Sequence, residues 1–404
     1  MKSQKISFTK KELILLALMA AVNFNHIVDF VIMMPLGPQL MRIFQITPHQ
    51  FGLMVSAYTF SAGASGFLAS FFIDRFDRKS CLLFFYLGFA LGTLACSMAP
   101  SYLTLLCARS LTGAFGGVLA SLVLSIVSDA IAYERRGSAM GIVMGAFSLA
   151  SVVGVPFGLF LANGIGWHAP FVFLGIIAII NLLGVWAWVP SMKEHMNKGI
   201  IRHTPIQSLK HILKTQKQVV ALTFMFCLVL GQFSIIPFLS QSFVANAGLL
   251  ENQLPLLYLF GGICSMFTSP LIGRLSDRYG KKLVFQTSIL LSLIPIILIT
   301  NLGTHPLWVL IMISSSFFIV MGGRMVPAMA MISATATPEY RGSFMSISSS
   351  VQQLSAALAS YLAGVIVVKG DAGQLLHFNV AGYFAVVFSI FAFLFANWLE
   401  KKEL

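Results

Sequence analysis

The chain has 404 residues, 57% hydrophobic and only 10% charged, and a formal net charge of +13. Soluble domains carry about 25% charged residues, so a water-facing surface cannot be covered here and most of the surface must face lipid. This excludes a water-soluble domain and a disordered chain, which requires low hydrophobicity.

The first residues, Met1-Lys-Ser-Gln-Lys, precede an apolar run that continues past Asp29 to Leu40. A cleaved signal has a shorter apolar core, so the run reads as a retained first helix. A bilayer core of about 30 Å takes about 20 apolar residues per helix. Runs of that size lie near 12–38, 50–73, 80–99, 102–128, 138–162 and 168–190, then near 218–243, 253–273, 282–301, 306–333, 342–367 and 375–398. They are too long and too uniformly apolar for barrel strands, and only helices or closed barrels span lipid. The expected fold is an all-α membrane protein with twelve transmembrane helices. Residues 1–190 form one six-helix bundle, 191–217 a basic cytoplasmic linker partly at the membrane surface, and 218–404 a second bundle. His195, His203 and His211 in the linker lack metal-ligand spacing, and no metal site is expected. The five cysteines sit in apolar runs without a CxxC pair and read as small buried hydrophobes.

Charge sets the orientation. With both termini cytoplasmic, all but four of the 26 Lys and Arg fall on the cytoplasmic side; Arg42 and Lys369 lie outside, and Arg109 and Arg324 lie within helices. This follows the positive-inside rule. The expected location is a bacterial inner membrane, crossed many times. The positive charge then signals orientation and anionic lipid rather than nucleic acid, since no basic stripe carries interleaved aromatics.

The two halves repeat. Asp74-Arg75-Phe76-Asp77-Arg78-Lys79 after the second helix parallels Asp277-Arg278-Tyr279-Gly280-Lys281-Lys282 after the eighth. Glu134-Arg135-Arg136-Gly137-Ser138 parallels Glu339-Tyr340-Arg341-Gly342-Ser343, and Pro35 to Gln39 parallels Pro237 to Gln241. Registered matches of this kind indicate parallel repeats, a layout used by transporters with a midplane site.

These loops resemble the signature of the major facilitator superfamily, a cytoplasmic Gly-x-x-x-Asp-Arg-x-Gly-Arg/Lys-Arg/Lys segment. The copy from Gly273 through Asp277, Arg278, Gly280 and Lys281 matches fully; the first copy has Ser70 and Asp77 where glycines are usual. Arg109-Ser-Leu-Thr-Gly113 resembles the family's Arg-x-x-x-Gly element in helix four. Gly145 with Gly154-Val-Pro156-Phe-Gly158 is similar to the glycine/proline motif of the family's drug and sugar efflux branch of proton antiporters. The resemblance covers essentially the whole chain. It implies two bundles related by pseudo-twofold symmetry, gating at Asp74, Arg75, Arg78 and the second loop, and a central cavity lined by helices one, four, seven and ten. Independently of the family, Gly141, Gly145, Gly154 and Gly158 permit close helix contact, and Pro156 removes a helix hydrogen bond.

Of thirteen acids, only Asp29 falls deep within a span. A mid-membrane carboxylate is expensive and marks function by default. At 1.5 Å per residue, Asp29 lies roughly 25 Å from the inner start of its helix and Arg109 roughly 12 Å from the outer start of its own. These depths are similar, so the two can meet across the cavity, either in proton coupling or as a static packing pair. His26, one turn before Asp29, shares its helical face and has an ordinary pKa near neutrality. Asn25, Gln232, Arg324, Gln352 and Gln353 are the polar candidates for substrate contact.

Together these features point to a proton-coupled efflux antiporter of a small organic solute. Proton-coupled uptake, facilitated diffusion, or a non-transporting scaffold or receptor are the alternatives. No Gly-x-x-x-x-Gly-Lys-Ser/Thr loop is present, so ATP coupling is not expected; the expected energy source is the proton gradient, with no cofactor. The expected partners are substrate, proton and membrane lipid, with the protein a monomer.

Overall fold

The computed structural model describes residues 8–132, 135–193, 205–337 and 340–399. Glu134, Glu339, His195 and His203 lie outside the described residues. Twelve long helices are described: α1 Lys10–Ile32, α2 Pro48–Ala69, α3 Arg78–Ser97, α4 Tyr102–Ala130, α5 Arg136–Gly164 and α6 Ala169–Trp188. The second half contributes α7 Gln216–Ala245, α8 Glu251–Tyr279, α9 Lys281–Thr300, α10 Leu307–Ala334, α11 Arg341–Ile366 and α12 Phe378–Leu399. Eleven are long and apolar enough to cross a membrane by composition alone. The other is α11, which carries seven serines and two glutamines. Hydroxyls such as Ser360 donate back to the carbonyl one turn earlier, here Ala356 at 2.8 Å, which satisfies them within the helix.

Local chemistry sets the ends. Thr9 with Glu12, Thr47 with Gln50, and Ser101 with Thr104 form reciprocal caps at the starts of α1, α2 and α4. The repeated prolines break both halves alike. α1 gives way to a turn at Met33–Leu36 and a short helix Gly37–Ile43, and α7 passes through a 3-10 turn at Ile236–Phe238 into Leu239–Ala245. α5 carries a π turn at Ala150–Gly154, directly before Pro156, whose ring removes a backbone donor.

Packing follows the repeats. α2 lies on α4, α3 on α4 and α6, and α1 on α5 and α6; in the second half α8 and α9 lie on α10, and α7 on α11 and α12. The halves meet where α2 crosses α11 and α5 crosses α8. Their apolar cores are distributed unevenly. At the end bearing the termini, each half has its own cluster, one around Met19, Leu119 and Val123, the other around Phe224, Phe285 and Phe344. At the far end one continuous core joins Met33, Leu40 and Phe51 of the first half to Phe238, Phe243 and Phe317 of the second. Polar contacts lie over that shared core. Arg42 forms a fork with Glu251 across the halves, its Nη2 reaching Oε2 at 3.0 Å. Gln39 donates to Asn163 at 2.6 Å, and Asn163 donates to the Glu251 carbonyl at 3.3 Å. At the opposite end, part of the linker forms a helix, Pro205–Lys214. It docks on the start of α11 through His211, stacked on Tyr340 with ring centroids 4.1 Å apart.

The crossing of α2 and α11 depends on two glycines. A Cβ at Gly52 would lie 2.6 Å from the Ser360 carbonyl oxygen and 2.9 Å from the Gly364 Cα. Backbone cannot yield as a side chain can, so Gly52→Val should lower stability by about 1–3 kcal/mol, the cost of overpacking. Gly273→Val, at a position with nothing within 4 Å, should change it little. Thermal unfolding of the two variants in the same detergent checks the contrast, and equal losses would contradict it.

Candidate functional site

α1 carries Asp29 into the first half with a side-chain exposure of 0%, and α4 brings Arg109 to it with 1%. Arg109 Nη1 donates to Asp29 Oδ2 at 2.8 Å and to the Asp29 carbonyl at 3.3 Å. Thr93 of α3 donates its hydroxyl to the other carboxylate oxygen at 3.0 Å. Tyr58 of α2 places its ring under the guanidinium, 4.3 Å from ring centroid to Cζ. One charge pair therefore joins α1, α2, α3 and α4. Desolvating both ions is costly, and close charge-assisted bonds plus a cation–π contact offset that cost.

Glycines make this approach possible. A Cβ at Gly113 would sit 2.2 Å from the Tyr58 carbonyl oxygen, and one at Gly117 2.1 Å from that of Ala62. Gly113 of the Arg109-x-x-x-Gly113 element thus lets α2 press on α4 and bring Tyr58 against Arg109. On the other side of α1, a Cβ at Gly154 would lie 2.3 Å from Val28 Cγ2, and one at Gly158 2.7 Å from Ile32 Cδ1. These two, with Pro156, seat α5 against the Asp29 turn. Gly141 and Gly145, also expected to give close helix contact, instead face open space, with nothing within 4 Å. They lie on the exposed side of α5, away from α1.

His26 turns toward α3 and α4, with its ring 5.8 Å from that of Phe89. Its Nε2 and the Tyr58 hydroxyl converge beside Gly116, where a Cβ would be 3.4 Å from the first and 2.8 Å from the second. Both His26 ring nitrogens and the Tyr58 hydroxyl are buried without a hydrogen-bond partner among the described residues. Tyr58 and Thr93 escaped the sequence reading; a tyrosine amid an apolar run was the only available signal.

The polar candidates for substrate contact separate. Asn25 donates to the Tyr86 hydroxyl and the Leu174 carbonyl, both at 3.2 Å. It ties α1 to α3 and α6, so the expectation that it lines the cavity is corrected. Gln232 is half-buried, its Oε1 without a partner, beside Phe233, which stacks on Phe30 across the halves at 6.1 Å. Gln353 faces α2 at Gly63, and Gln352 is half-buried beside it. Arg324 points to α9 and α12, where Ser292 and Ser389 accept from it at 3.5 and 3.2 Å.

The two signature loops differ in construction. Gly280 adopts φ +94°, a left-handed conformation that favours glycine. Asp77 at the matching position keeps φ −59° and caps α3 through its side chain. It accepts from Lys79 N at 3.2 Å, Met192 N at 2.7 Å and the Ser191 hydroxyl at 2.8 Å. Burial opposes its ionisation, but these donors hold its carboxyl below the ordinary range. Arg78 pairs with Asp129 at 3.3 Å. Arg75 ends a short 3-10 turn and is exposed, and the Asp74 side chain lies outside what the structure describes. Gly273 sits inside α8 with open space around it. Asp277 and Lys281 are exposed, Asp277 makes no ion pair among the described residues, and Arg278 lies over the Tyr279 ring at 5.2 Å.

A family model described as the Major Facilitator Superfamily matches residues 18–263 and 221–403. The chain belongs to this superfamily. It is 25% identical over 363 residues to the MFS-type transporter YceJ of Bacillus subtilis, covering 89% of this chain and 90% of that one. It is 22% identical over 244 residues to a probable sugar efflux transporter of Helicobacter pylori, covering 60% and 61%. Among solved structures, the nucleoside transporter NupG superposes with a TM-score of 0.76 at 12% identity, covering 97% of this chain and 100% of that one. A bacterial homologue of the lysosomal transporter Spinster, inward-facing and unoccupied, gives 0.75 at 14%, covering 97% and 98%. The fold is the twelve-helix major facilitator fold. The protein is a multi-pass membrane transporter of small solutes and not an enzyme.

Two outcomes follow from this geometry. Asp29→Asn and Arg109→Gln should each cost about 3–5 kcal/mol, because each leaves one buried charge alone. The double variant should recover most of that loss, which a thermodynamic cycle on the purified protein measures; additive losses would mean the pair is not coupled. Asp77→Ala should cost about 1 kcal/mol as a lost cap and speed amide exchange at Lys79 and Met192. Because the folded pKa is lowered, the cap's contribution is full above the ordinary carboxylate pKa and fades as pH falls through the depressed value. Wild type and variant should therefore converge in acid.

Proposed function

We propose that this chain is a proton-coupled antiporter that exports a small organic solute from the cytoplasm. The observation that carries the reading is that Asp29, the single carboxylate deep in a span, is sealed in an ion pair that ties four helices together. A proton arriving at Asp29 removes the charge that holds Arg109. The guanidinium then loses its main partner, and the packing of α1 on α4 changes with it. Reloading the pair requires the proton to leave. His26 and Tyr58, with buried polar atoms unpartnered one turn away, supply the groups through which that proton moves. The resemblance of the Gly154-Val-Pro156-Phe-Gly158 segment to the efflux branch, and the likeness to a probable sugar efflux transporter, support the outward direction.

In this reading residues 1–190 and 218–404 are two bundles that rock about a midplane site, with 191–217 as the cytoplasmic linker between them. The positive-inside distribution puts both termini in the cytoplasm of a bacterial inner membrane. The far end, where the cores fuse under Arg42 and Glu251, is then the closed outer side. The separate cores at the other end leave the site open to the cytoplasm, with the loop around Asp277 unlatched. The half-buried Gln232 and Gln352 are the side chains this reading assigns to the path between the bundles, and the protein works as a monomer.

Everted vesicles containing the protein test this reading. Export substrates, found by a thermal-shift screen, should collapse an imposed pH gradient when added. Asp29→Asn should still reach the membrane, since a neutral residue is cheaper to insert in lipid, with the lower stability that the unpaired Arg109 brings, and should abolish that collapse. Full gradient-driven uptake by Asp29→Asn would sink the proposal.

A further inference from the structure

Arg324 lies midway along α10 with a relative exposure of 0%. Only its Nη1 is engaged, with Ser389 at 3.2 Å and Ser292 at 3.5 Å. Nε and Nη2 have no partner among the described residues. Neither α10 nor α7, α9 and α12 contains an Asp or a Glu, and in α8, which also packs on α10, Glu251 and Asp277 stand at the two ends of the helix. The contrast with Arg109 is a matter of register. Asp29 stands six residues before Pro35, and the residue six before the matching Pro237 is Gly231. Gly231 lies against the same serine: a Cβ there would be 3.4 Å from Ser389 Oγ. The second half thus buries a guanidinium without the acid that the first half provides.

Ser389 also lines a crevice of about 250 Å³ between α9 and α12, whose other walls are apolar, among them Leu290, Leu293, Ile390 and Phe393. Both ends of this seam are closed. A Cβ at Gly382 would lie 2.2 Å from Thr300 Oγ1, and Gln286 donates to Asn397 at 3.0 Å. Between those closures Ser389 joins the two: it borders the apolar slot, and its hydroxyl accepts from the buried cation. Nε and Nη2 project from one edge of the guanidinium, the fork that matches a carboxylate or phosphate.

We propose that the α9–α12 seam binds an amphipathic anion, its carboxylate or phosphate head on the free edge of Arg324 and its hydrocarbon tail in the crevice. The site is independent of proton binding at Asp29. The head supplies the charge that α7, α9, α10 and α12 lack, and the tail replaces lipid in the slot. Such an anion comes either from the membrane, as a fatty acid or acidic lipid, or from the transported solutes.

Decanoate and decyl phosphate, below their micellar concentrations, are the probes, added to the purified protein in a neutral detergent. Decanol and inorganic phosphate are the controls lacking charge and tail. Both probes should raise the Tm by roughly 3 °C at saturation, and neither control should. Arg324→Gln should abolish the shift. Gly231→Asp should abolish it too by placing an internal carboxylate beside Ser389, and it carries the test alone if Arg324→Gln does not fold. No shift with either probe, an equal shift with decanol, or a shift retained in Gly231→Asp would overturn the proposal. Flux of labelled decanoate through proteoliposomes, lost in Gly231→Asp, identifies a solute site; binding without flux identifies a lipid site, and either supports the inference.

Discussion

Two full charges in hydrocarbon must touch or not exist, and the Asp29–Arg109 pair imposes that condition on the first half of the molecule. An isolated buried ion costs several kcal/mol after relaxation. α1 and α4 must therefore approach to hydrogen-bond distance at one depth, and the neighbouring helices must exclude water from it. The glycines are the means. Gly113 and Gly117 bring α2 onto α4, Gly154 and Gly158 bring α5 onto α1, and at each a methyl group would collide with a neighbour. Small residues at helix contacts are how membrane helices gain packing without a hydrophobic driving force. The position of Tyr58 follows from the first of these contacts, and the position of the π turn before Pro156 lies next to the second.

The fold was legible because lipid leaves the chain few choices. Helix count and the repeat could be read from apolar run length, paired loops and paired prolines, and α11 could be read despite its serines because its length and its registered loop agreed. The meeting of Asp29 with Arg109 was legible from their similar depth together with the family resemblance, which sets helices one and four around one cavity. What was not legible depends on rotation about helix axes. Asn25 is polar and near Asp29 in sequence, yet its amide is used by Tyr86 and Leu174. Gly145 shares a motif with Gly154, but nine residues at about 3.6 per turn bring it to another side of α5, where it faces open space. Arg324 has the composition of a cavity residue and the orientation of a bundle-core residue. Asp77 replaced a glycine without loss of the turn, because a side-chain cap did the work that a left-handed backbone does at Gly280.

The two halves share a scaffold but not its chemistry. Asp29 has Gly231 at its repeat position. Arg109, seven residues into α4, has Ser314 seven residues into α10, a buried hydroxyl without a partner. The first half is thus cross-linked by charge near its centre, while the second is held there by apolar packing and a lone guanidinium. A helix bundle fixed by one strong polar contact is stiff at that point and responds sharply to its loss. A bundle fixed by dispersed apolar contacts loses only a small share of its packing when any one contact goes. The asymmetry assigns different mechanical parts to two copies of one design.

For the proton antiport proposed above, one acid deep in the spans also sets a thermodynamic ceiling. A carrier that moves a single proton on a single carboxylate, in exchange for one neutral molecule, gains one elementary charge of driving force per cycle. For one charge a tenfold ratio corresponds to about 59 mV. The steepest concentration difference such a protein can sustain is therefore about one decade for every 59 mV of proton-motive force. That limit is set by the count of interior carboxylates, whatever the affinity of the site for its cargo.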